Sequence, residues 1–165
     1  MKTVHAILDA GRRAFQNGDY AKAVSVLLPL AHSGNGSAEY YRGLMCHEGK
    51  GLPEDNAVAA GWARKAAEHG SADAEALLGV LYANGQGVPR NTAEAARWFH
   101  NAAERGNAFG QSKMGLCYLR GAGVTQNCLI AYMWFDLASI WLRAIRLVMI
   151  RFAIAICGTL LPPEA

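Results

Sequence analysis

The sequence has few cysteines, and their spacing excludes several classes of protein. The four thiols stand at Cys46, Cys117, Cys128 and Cys157, with no CxxC pair and no recurrence at a fixed interval. Disulfide frameworks and structural zinc sites need clustered or recurring cysteines. The spacing therefore favours reduced side chains that behave as small apolar residues. One bridge stays open, between Cys117 and Cys128, because these two residues flank a single loop.

Charge is also scarce. Lysine, arginine, aspartate and glutamate make up 18% of the 165 residues, and the net charge is +3. Nucleic-acid-binding domains concentrate basic residues in a patch or stripe, and the repeats described below carry none. The N-terminal stretch lacks the apolar run of a secretory signal before Asp9. We therefore expect a cytoplasmic protein that does not bind nucleic acid.

The motifs of common enzymes and cofactor sites are missing. His47-Glu48 begins like a zinc-protease motif, but no second histidine follows one helical turn later. The segment 49–51 lacks the ending of a phosphate-binding loop, and the segment 85–87 lacks the later glycine of a dinucleotide-binding loop. The nucleophile motif Gly-x-Ser-x-Gly is also absent. The sequence predicts no catalytic residue, no metal ligand and no cofactor-binding residue.

What the chain does have is a repeat with a period of 36 residues. A period of this length is the signature of helical arrays in which each unit buries its apolar face only against its neighbours. Three sets of positions carry the register most clearly: Trp62, Trp98 and Trp134; Gly49, Gly85 and Gly121; and Gly51, Gly87 and Gly123.

Each unit is predicted to contain a first helix, a glycine-rich loop, a second helix and a glycine turn. The first helices are predicted at 38–48, 73–83 and 109–119, and the second helices at 56–68, 92–104 and 128–139. A preceding pair of helices is predicted at 3–17 and 20–32. The predicted fold class is therefore all-α.

Residues that recur within the unit have assignable structural roles. The paired loop glycines permit the positive φ that a tight chain reversal needs. Asp55, Asn91 and Asn127 stand where the second helix needs an N-cap, and Glu94 has capping-box spacing from Asn91. A small residue at Gly43 and its equivalents lets two helices approach closely. The tryptophans are predicted to pack between units.

The first full unit departs from this register. Arg42 stands where the later units have Leu78 and Met114, and Cys46 stands where they have tyrosine. At both positions the later units have a large and largely apolar side chain, and the first unit has a side chain of a different kind. We interpret this unit as looser in its pattern than the two that follow.

The segments 78–91 and 95–106, with sequences LGVLYANGQGVPRN and AARWFHNAAERG, resemble the Sel-1-like repeat family, a relative of the tetratricopeptide repeats. The resemblance extends over residues 23–139. It implies a right-handed superhelical solenoid of antiparallel helix pairs, and a role as an adaptor for protein complexes in bacterial signalling and envelope regulation. We divide the chain into a tetratricopeptide-like hairpin at 1–34, Sel-1-like repeats at 35–139 and an atypical apolar tail at 140–165.

The tail breaks the repeat abruptly. After Ser139 the register ends, and residues 140–161 contain no acidic residue but include Arg143, Arg146 and Arg151. Four interpretations stay open: a helix that caps the last unit, a membrane-spanning helix, an interfacial helix with a basic face, or a non-native end. Because three arginines make a spanning helix costly, we favour a helix packed on the array.

Polar residues recur on the first helix of each unit. Glu39 and Glu75 are in register with Gln111. They form either a solvated face that complements the helix dipole or a polar ladder on the concave side of the array. The second interpretation gives the candidate partner-binding set, in which Lys113 supplies a positive charge: Glu39, Tyr40, Glu75, Gln111, Ser112 and Lys113.

These features lead to one function hypothesis and two alternatives. We expect a noncatalytic adaptor whose preformed concave surface binds a protein or peptide partner, and the resemblance places it in bacterial signalling or complex assembly. Some cysteine-rich relatives in the family are linked with penicillin binding, so a β-lactam-binding hydrolase is the first alternative, although the repeating cysteine pairs are missing here. The second alternative is a membrane-associated adaptor that docks through residues 140–161.

Overall fold

The structure, a computed structural model, describes residues 3–138. This range holds eight α-helices and no strand, which confirms the all-α helical-repeat class. The predicted helix positions are also confirmed, with small shifts at the ends. The helices are α1 Val4–Gln16, α2 Tyr20–His32, α3 Gly36–Glu48, α4 Asn56–Glu68, α5 Ala72–Asn84, α6 Thr92–Glu104, α7 Ala108–Arg120 and α8 Cys128–Ala138.

The chain divides into two compact units, with the boundary between Arg90 and Asn91. Helices α1 to α5 belong to the first unit and α6 to α8 to the second. The right-handed superhelix and the division at residues 34 and 139 stay predictions. The interpretations of the tail concern residues 140–165, which lie outside the described residues.

The second helix of each repeat begins at a capping side chain. Oδ1 of Asp55 and Oδ1 of Asn91 each accept hydrogen bonds from the backbone N–H groups two and three residues later, at 2.9 to 3.1 Å. Asn127 accepts one such bond at 3.0 Å. All three predicted N-caps are therefore confirmed. The capping box is only half formed, because the carboxylate of Glu94 accepts from Arg97 rather than from the cap residue.

The first helix of each repeat ends at a glycine in the left-handed region. Gly49, Gly85 and Gly121 are the C-caps of α3, α5 and α7, with φ values of 64°, 71° and 68°. An L side chain is strained in this region. The predicted positive φ is confirmed, and the chain can turn at once towards the next helix.

The second glycine of each loop touches the start of the second helix one repeat earlier. A Cβ built at Gly87 would lie 2.1 Å from the carbonyl carbon and oxygen of Asn56, and one built at Gly123 would lie 2.1 Å from the carbonyl oxygen of Thr92. Backbone atoms cannot yield as a flexible side chain can. Only glycine fits at these positions. Because glycine has no side chain, the loop can lie directly against the backbone of the earlier helix.

Alanine dominates the contact between α3 and α4. Ala59, Ala63 and Ala66 on α4 are fully buried. Opposite them on α3 stands Gly43, where an added Cβ would lie 3.2 Å from the carbonyl oxygen of Ala59. Small side chains bury little area each, so the close approach of the two backbones provides most of the contact. The predicted role of Gly43 is confirmed.

The tryptophans of the repeat are partly buried. In the first compact unit, Trp62 packs against the core cluster that contains Leu27 and Met45, residues of two other helices. In the second unit, the ring of Trp134 meets the ring of His100 edge-on, with centroids 5.9 Å apart. Trp62 therefore joins α4 to α2 and α3, as the repeat register predicts.

The bridge left open between Cys117 and Cys128 does not form. Cys117 and Cys46 are free, buried thiols, whereas Cys128 takes part in a disulfide bond. The prediction of reduced cysteines is therefore wrong for Cys128. Burial raises the pKa of both free thiols, and the neighbouring Arg42 and Lys113 offset the rise only in part. Both thiols are thus protonated, and weak nucleophiles, near neutral pH.

Candidate partner-binding site

The six candidate residues are divided between the two compact units. Glu39 and Tyr40 lie on α3 and Glu75 lies on α5, all in the first unit. The other three are consecutive on α7, at residues 111–113 in the second unit. Successive residues of a helix point about 100° apart, so these three cannot share one face.

Glu39 is an internal residue. Only 3% of it is exposed, and its Oε2 accepts a 2.6 Å hydrogen bond from Nδ1 of His69, the C-cap of α4. The bond ties the first turn of α3 to the end of α4, and a buried carboxylate needs such a partner. Glu75, in register on α5, is 4% exposed. The solvated-face interpretation is therefore wrong for both glutamates, and their contact with a partner stays a prediction.

Tyr40 lies at the end of a row of aromatic rings that the 36-residue register does not reveal. Its ring centroid is 5.2 Å from that of Tyr41, Tyr41 is 5.6 Å from Phe15, and Phe15 is 5.6 Å from Tyr20, each pair edge-to-face. These four residues form the aromatic row. Burial, followed by the charge of Asp73, raises the pKa of Tyr40, so its hydroxyl is protonated at neutral pH. All four residues are partly exposed.

The residues on α7 differ in how much of them a partner can reach. Nε2 of Gln111 donates a 3.3 Å hydrogen bond to the carbonyl oxygen of Ala103 at the end of α6, so this side chain is already used within the fold. Ser112 is partly exposed. Nζ of Lys113 lies 4.9 Å from the ring centroid of Phe109, which is 49% exposed. A cation beside an exposed ring is suited to contact with a partner.

A second group of side chains surrounds Trp62. Cζ of Arg42 lies 4.0 Å from the ring centroid of Trp62, and Nζ of Lys65 lies 4.6 Å from it. His32 meets the ring edge-on at 6.1 Å, and its Nε2 accepts a hydrogen bond from Nη1 of Arg42. These four residues form the Trp62 cluster. The one sequence signal for it is Arg42, which replaces the leucine and methionine of the later repeats.

Recurring helix pairs, left-handed glycine caps and loop glycines set against an earlier helix together define the repeat. Residues 36–71, 72–107 and 108–139 each match the Sel1 repeat. The chain belongs to the Sel1 repeat family. The resemblance seen in the sequence is confirmed, and Sel1 repeat proteins are generally noncatalytic modules of protein–protein interaction.

Solved structures that are similar to this Sel1 repeat chain include the following two. A Sel1 repeat protein from Oxalobacter formigenes is 31% identical with a TM-score of 0.71, over 79% of this chain and 54% of its own. A protective antigen present in uropathogenic Escherichia coli strains, which displays an SLR fold, is 34% identical with a TM-score of 0.81, over 94% of this chain and 34% of its own. This chain therefore spans about half of the first protein and about a third of the second. No curated protein sequence matches it.

Two features of other protein classes are missing from residues 3–138. This range contains no group of three or more histidine, cysteine, aspartate or glutamate side chains placed to hold a metal ion. Nor does any helix of the same range combine the length and apolar character required to cross a bilayer. The proposed docking of residues 140–161 to a membrane falls outside the described residues.

Proposed function

We propose that this chain is a noncatalytic adaptor in bacterial signalling or complex assembly, and that it holds a protein or peptide segment against the first helices of its repeats. The aromatic row is the observation that carries this proposal. Its four rings are held in place by edge-to-face contacts and are still partly exposed. Aromatic side chains are enriched at protein interfaces and supply much of their binding energy.

Rigidity of the surface supports the same proposal. The helices that carry the row are capped, and α3 is tied to α4 by the hydrogen bond between Glu39 and His69. A surface that is already ordered loses little entropy when a partner binds. The second compact unit adds a partly exposed cation, Lys113, beside the exposed ring of Phe109. We infer that the aromatic row and the pair of Lys113 and Phe109, rather than the buried glutamates, supply the contacts with the partner.

The test is capture of a partner by the immobilised full-length chain from a bacterial lysate, followed by affinity measurement with the partner identified in this way. We expect Tyr40→Ala and Lys113→Glu each to weaken binding by about tenfold or more, the effect of losing an interface anchor. Lys22→Glu on the exposed start of α2 is the matched control and should bind normally. Wild-type affinity in both Tyr40→Ala and Lys113→Glu, with circular dichroism unchanged, would remove the first helices from consideration.

Location separates this proposal from its membrane alternative. We propose that the adaptor acts in the cytoplasm, whereas an adaptor that docks through residues 140–161 would be found with membranes. Fractionation of cells expressing the full chain, or a chain without residues 140–165, decides between them. Recovery of the full chain in the membrane fraction, and of the shortened chain in the soluble fraction, would support docking through the tail.

A further inference from the structure

We propose that the Trp62 cluster is a binding site for a carboxylate, and that it takes an acidic side chain of the partner segment. The proposal rests on the adaptor function proposed above and adds the chemistry of one contact to it. Arg42 and Lys65 supply the positive charge, Trp62 is the ring that both cations contact, and His32 orients the guanidinium. All four residues belong to the first compact unit.

The first argument is the charge that the cluster assembles. The guanidinium of Arg42 and the ammonium of Lys65 both lie within 4.6 Å of the centroid of a single indole ring. Each is attracted to the ring, but two like charges brought to one ring also repel each other. A carboxylate that reaches both cations removes this repulsion and gains a charge-assisted hydrogen bond from each.

The second argument is that the described part of the chain places no carboxylate on either cation. Across residues 3–138, neither Arg42 nor Lys65 forms an ion pair. Glu39, one turn before Arg42 on α3, is already bound to His69. Glu68, one turn after Lys65 on α4, makes no ion pair in the same range. Within this range the two cations are therefore available to an acidic side chain of a partner.

The third argument is the position that Arg42 occupies. Its equivalents Leu78 and Met114 are fully buried, with exposures of 0% and 1%, so the repeat favours an apolar side chain here. Arg42 instead leaves its Nε buried without a hydrogen bond. A buried donor without an acceptor lowers stability, and such departures from the pattern of a fold are expected at functional sites.

The site is also open enough to be reached. His32 and Lys65 are exposed, and Arg42 and Trp62 are partly exposed. Nη1 of Arg42 donates to His32, which holds the planar guanidinium against the indole. A guanidinium fixed in this way presents its remaining N–H groups in the fork geometry that suits a carboxylate.

The experiment uses a blocked peptide of alternating glycine and glutamate, its glutamine counterpart, and inorganic phosphate as three separate probes. Binding to the full chain is followed at low ionic strength by the indole N–H resonances, with Trp62→Phe identifying the signal of interest. We expect the glutamate peptide to shift the Trp62 resonance and the glutamine peptide to leave it in place. A shift with phosphate and none with the glutamate peptide would overturn the assignment to a peptide carboxylate.

Arg42→Leu is the decisive variant, because the repeat itself places leucine at this position and the variant should fold. We expect it to melt at or above the wild-type temperature and to bind the glutamate peptide about tenfold more weakly, the loss of one charge-assisted bond. Lys65→Gln should weaken binding in the same direction, and Lys22→Gln should have no effect. Equal peptide affinity in wild type and Arg42→Leu would overturn the site and leave a structural contact between Arg42 and Trp62.

The same variant separates failure of this site from failure of the adaptor function. A captured partner that is lost with Tyr40→Ala and retained with Arg42→Leu would keep the adaptor proposal and overturn the carboxylate site. A partner that is lost with Arg42→Leu, and whose binding segment requires its own acidic residues, supports both.

Discussion

Glu39 and His69 show how a single pair of side chains is used inside this fold. Glu39 is 30 residues from His69 in sequence, yet their side chains meet at 2.6 Å. The carboxylate is nearly inaccessible, whereas half of the histidine side chain is exposed. Desolvation therefore falls mainly on the acid, and the hydrogen bond from His69 offsets part of that cost. The pair holds together two antiparallel helices at one end.

Replacing His69 by alanine leaves the enclosed carboxylate of Glu39 without its hydrogen-bond donor. We expect the free energy of unfolding to fall by about 1–3 kcal/mol. Glu39→Gln removes the charge and keeps a side-chain oxygen as acceptor, so its cost should be smaller. Urea unfolding followed by circular dichroism at neutral pH measures both. A loss for His69→Ala no larger than for the exposed Lys22→Ala would show that the bond contributes nothing.

At the scale of the elements, the loop between paired helices is as specific as the helices themselves. Each 13-residue helix is too short to be stable alone in water. Its stability comes from the neighbours against which it packs. The second glycine of the loop makes one such contact, because it sets the loop directly on the backbone at the start of an earlier helix.

Gly87→Ala and Gly61→Ala test this contact as a matched pair. At Gly87 the added methyl group would meet the backbone of Asn56 at 2.1 Å, and φ is 69°, so we expect a loss of about 2–4 kcal/mol. At Gly61, on the exposed side of α4, an added methyl group meets nothing within 4 Å. There alanine should stabilise by about 0.5–1 kcal/mol. Thermal and urea unfolding of both variants checks the opposite signs; equal effects would contradict the proposed contact.

At the scale of the whole molecule, neutral and small side chains fill most of the core. The buried set is rich in alanine, and the protonated forms of Cys46, Cys117, Tyr40 and Tyr41 are favoured because burial raises the pKa of each. Burial penalises the charged forms of these groups. These four groups should therefore lower the stability of the fold at alkaline pH and leave it unchanged in mild acid.

We expect the free energy of unfolding to fall as the pH rises above about 9. The unfolded chain ionises its thiols and then its phenols at their ordinary pKa values of 9.0 and 10.0, whereas the folded chain holds them protonated to higher pH. The stability that these groups contribute is thus fully present below about pH 8. It is lost as the pH rises from the ordinary pKa values of the unfolded chain to the raised pKa values of the folded chain. Urea unfolding across this range measures the slope, which Cys46→Ala combined with Cys117→Ala should reduce. An unchanged slope in that double variant would contradict the role of the thiols.

The sequence predicts the charge of the candidate site at Lys113, but it does not predict the burial of Glu39 and Glu75. The sequence predicts Lys113 as a positive contact, and the structure places it over an exposed ring. The sequence also reveals Glu39 and Glu75 as a recurring pair, but it does not predict their enclosure. The helical period gives the face on which a residue lies, and it does not give what covers that face.

The amino-acid sequence by itself determined the repeat, the helices, their N-caps and the left-handed glycines, because each depends on residues within one or two turns of chain. The tertiary structure alone decided that Glu39 is enclosed by α4, that Cys117 is not bridged to Cys128, and that Arg42 and Lys65 share the ring of Trp62. Each of these outcomes depends on how residues of different helices are placed relative to one another. They are set by how closely neighbouring backbones approach, which small side chains permit and a one-dimensional pattern does not record.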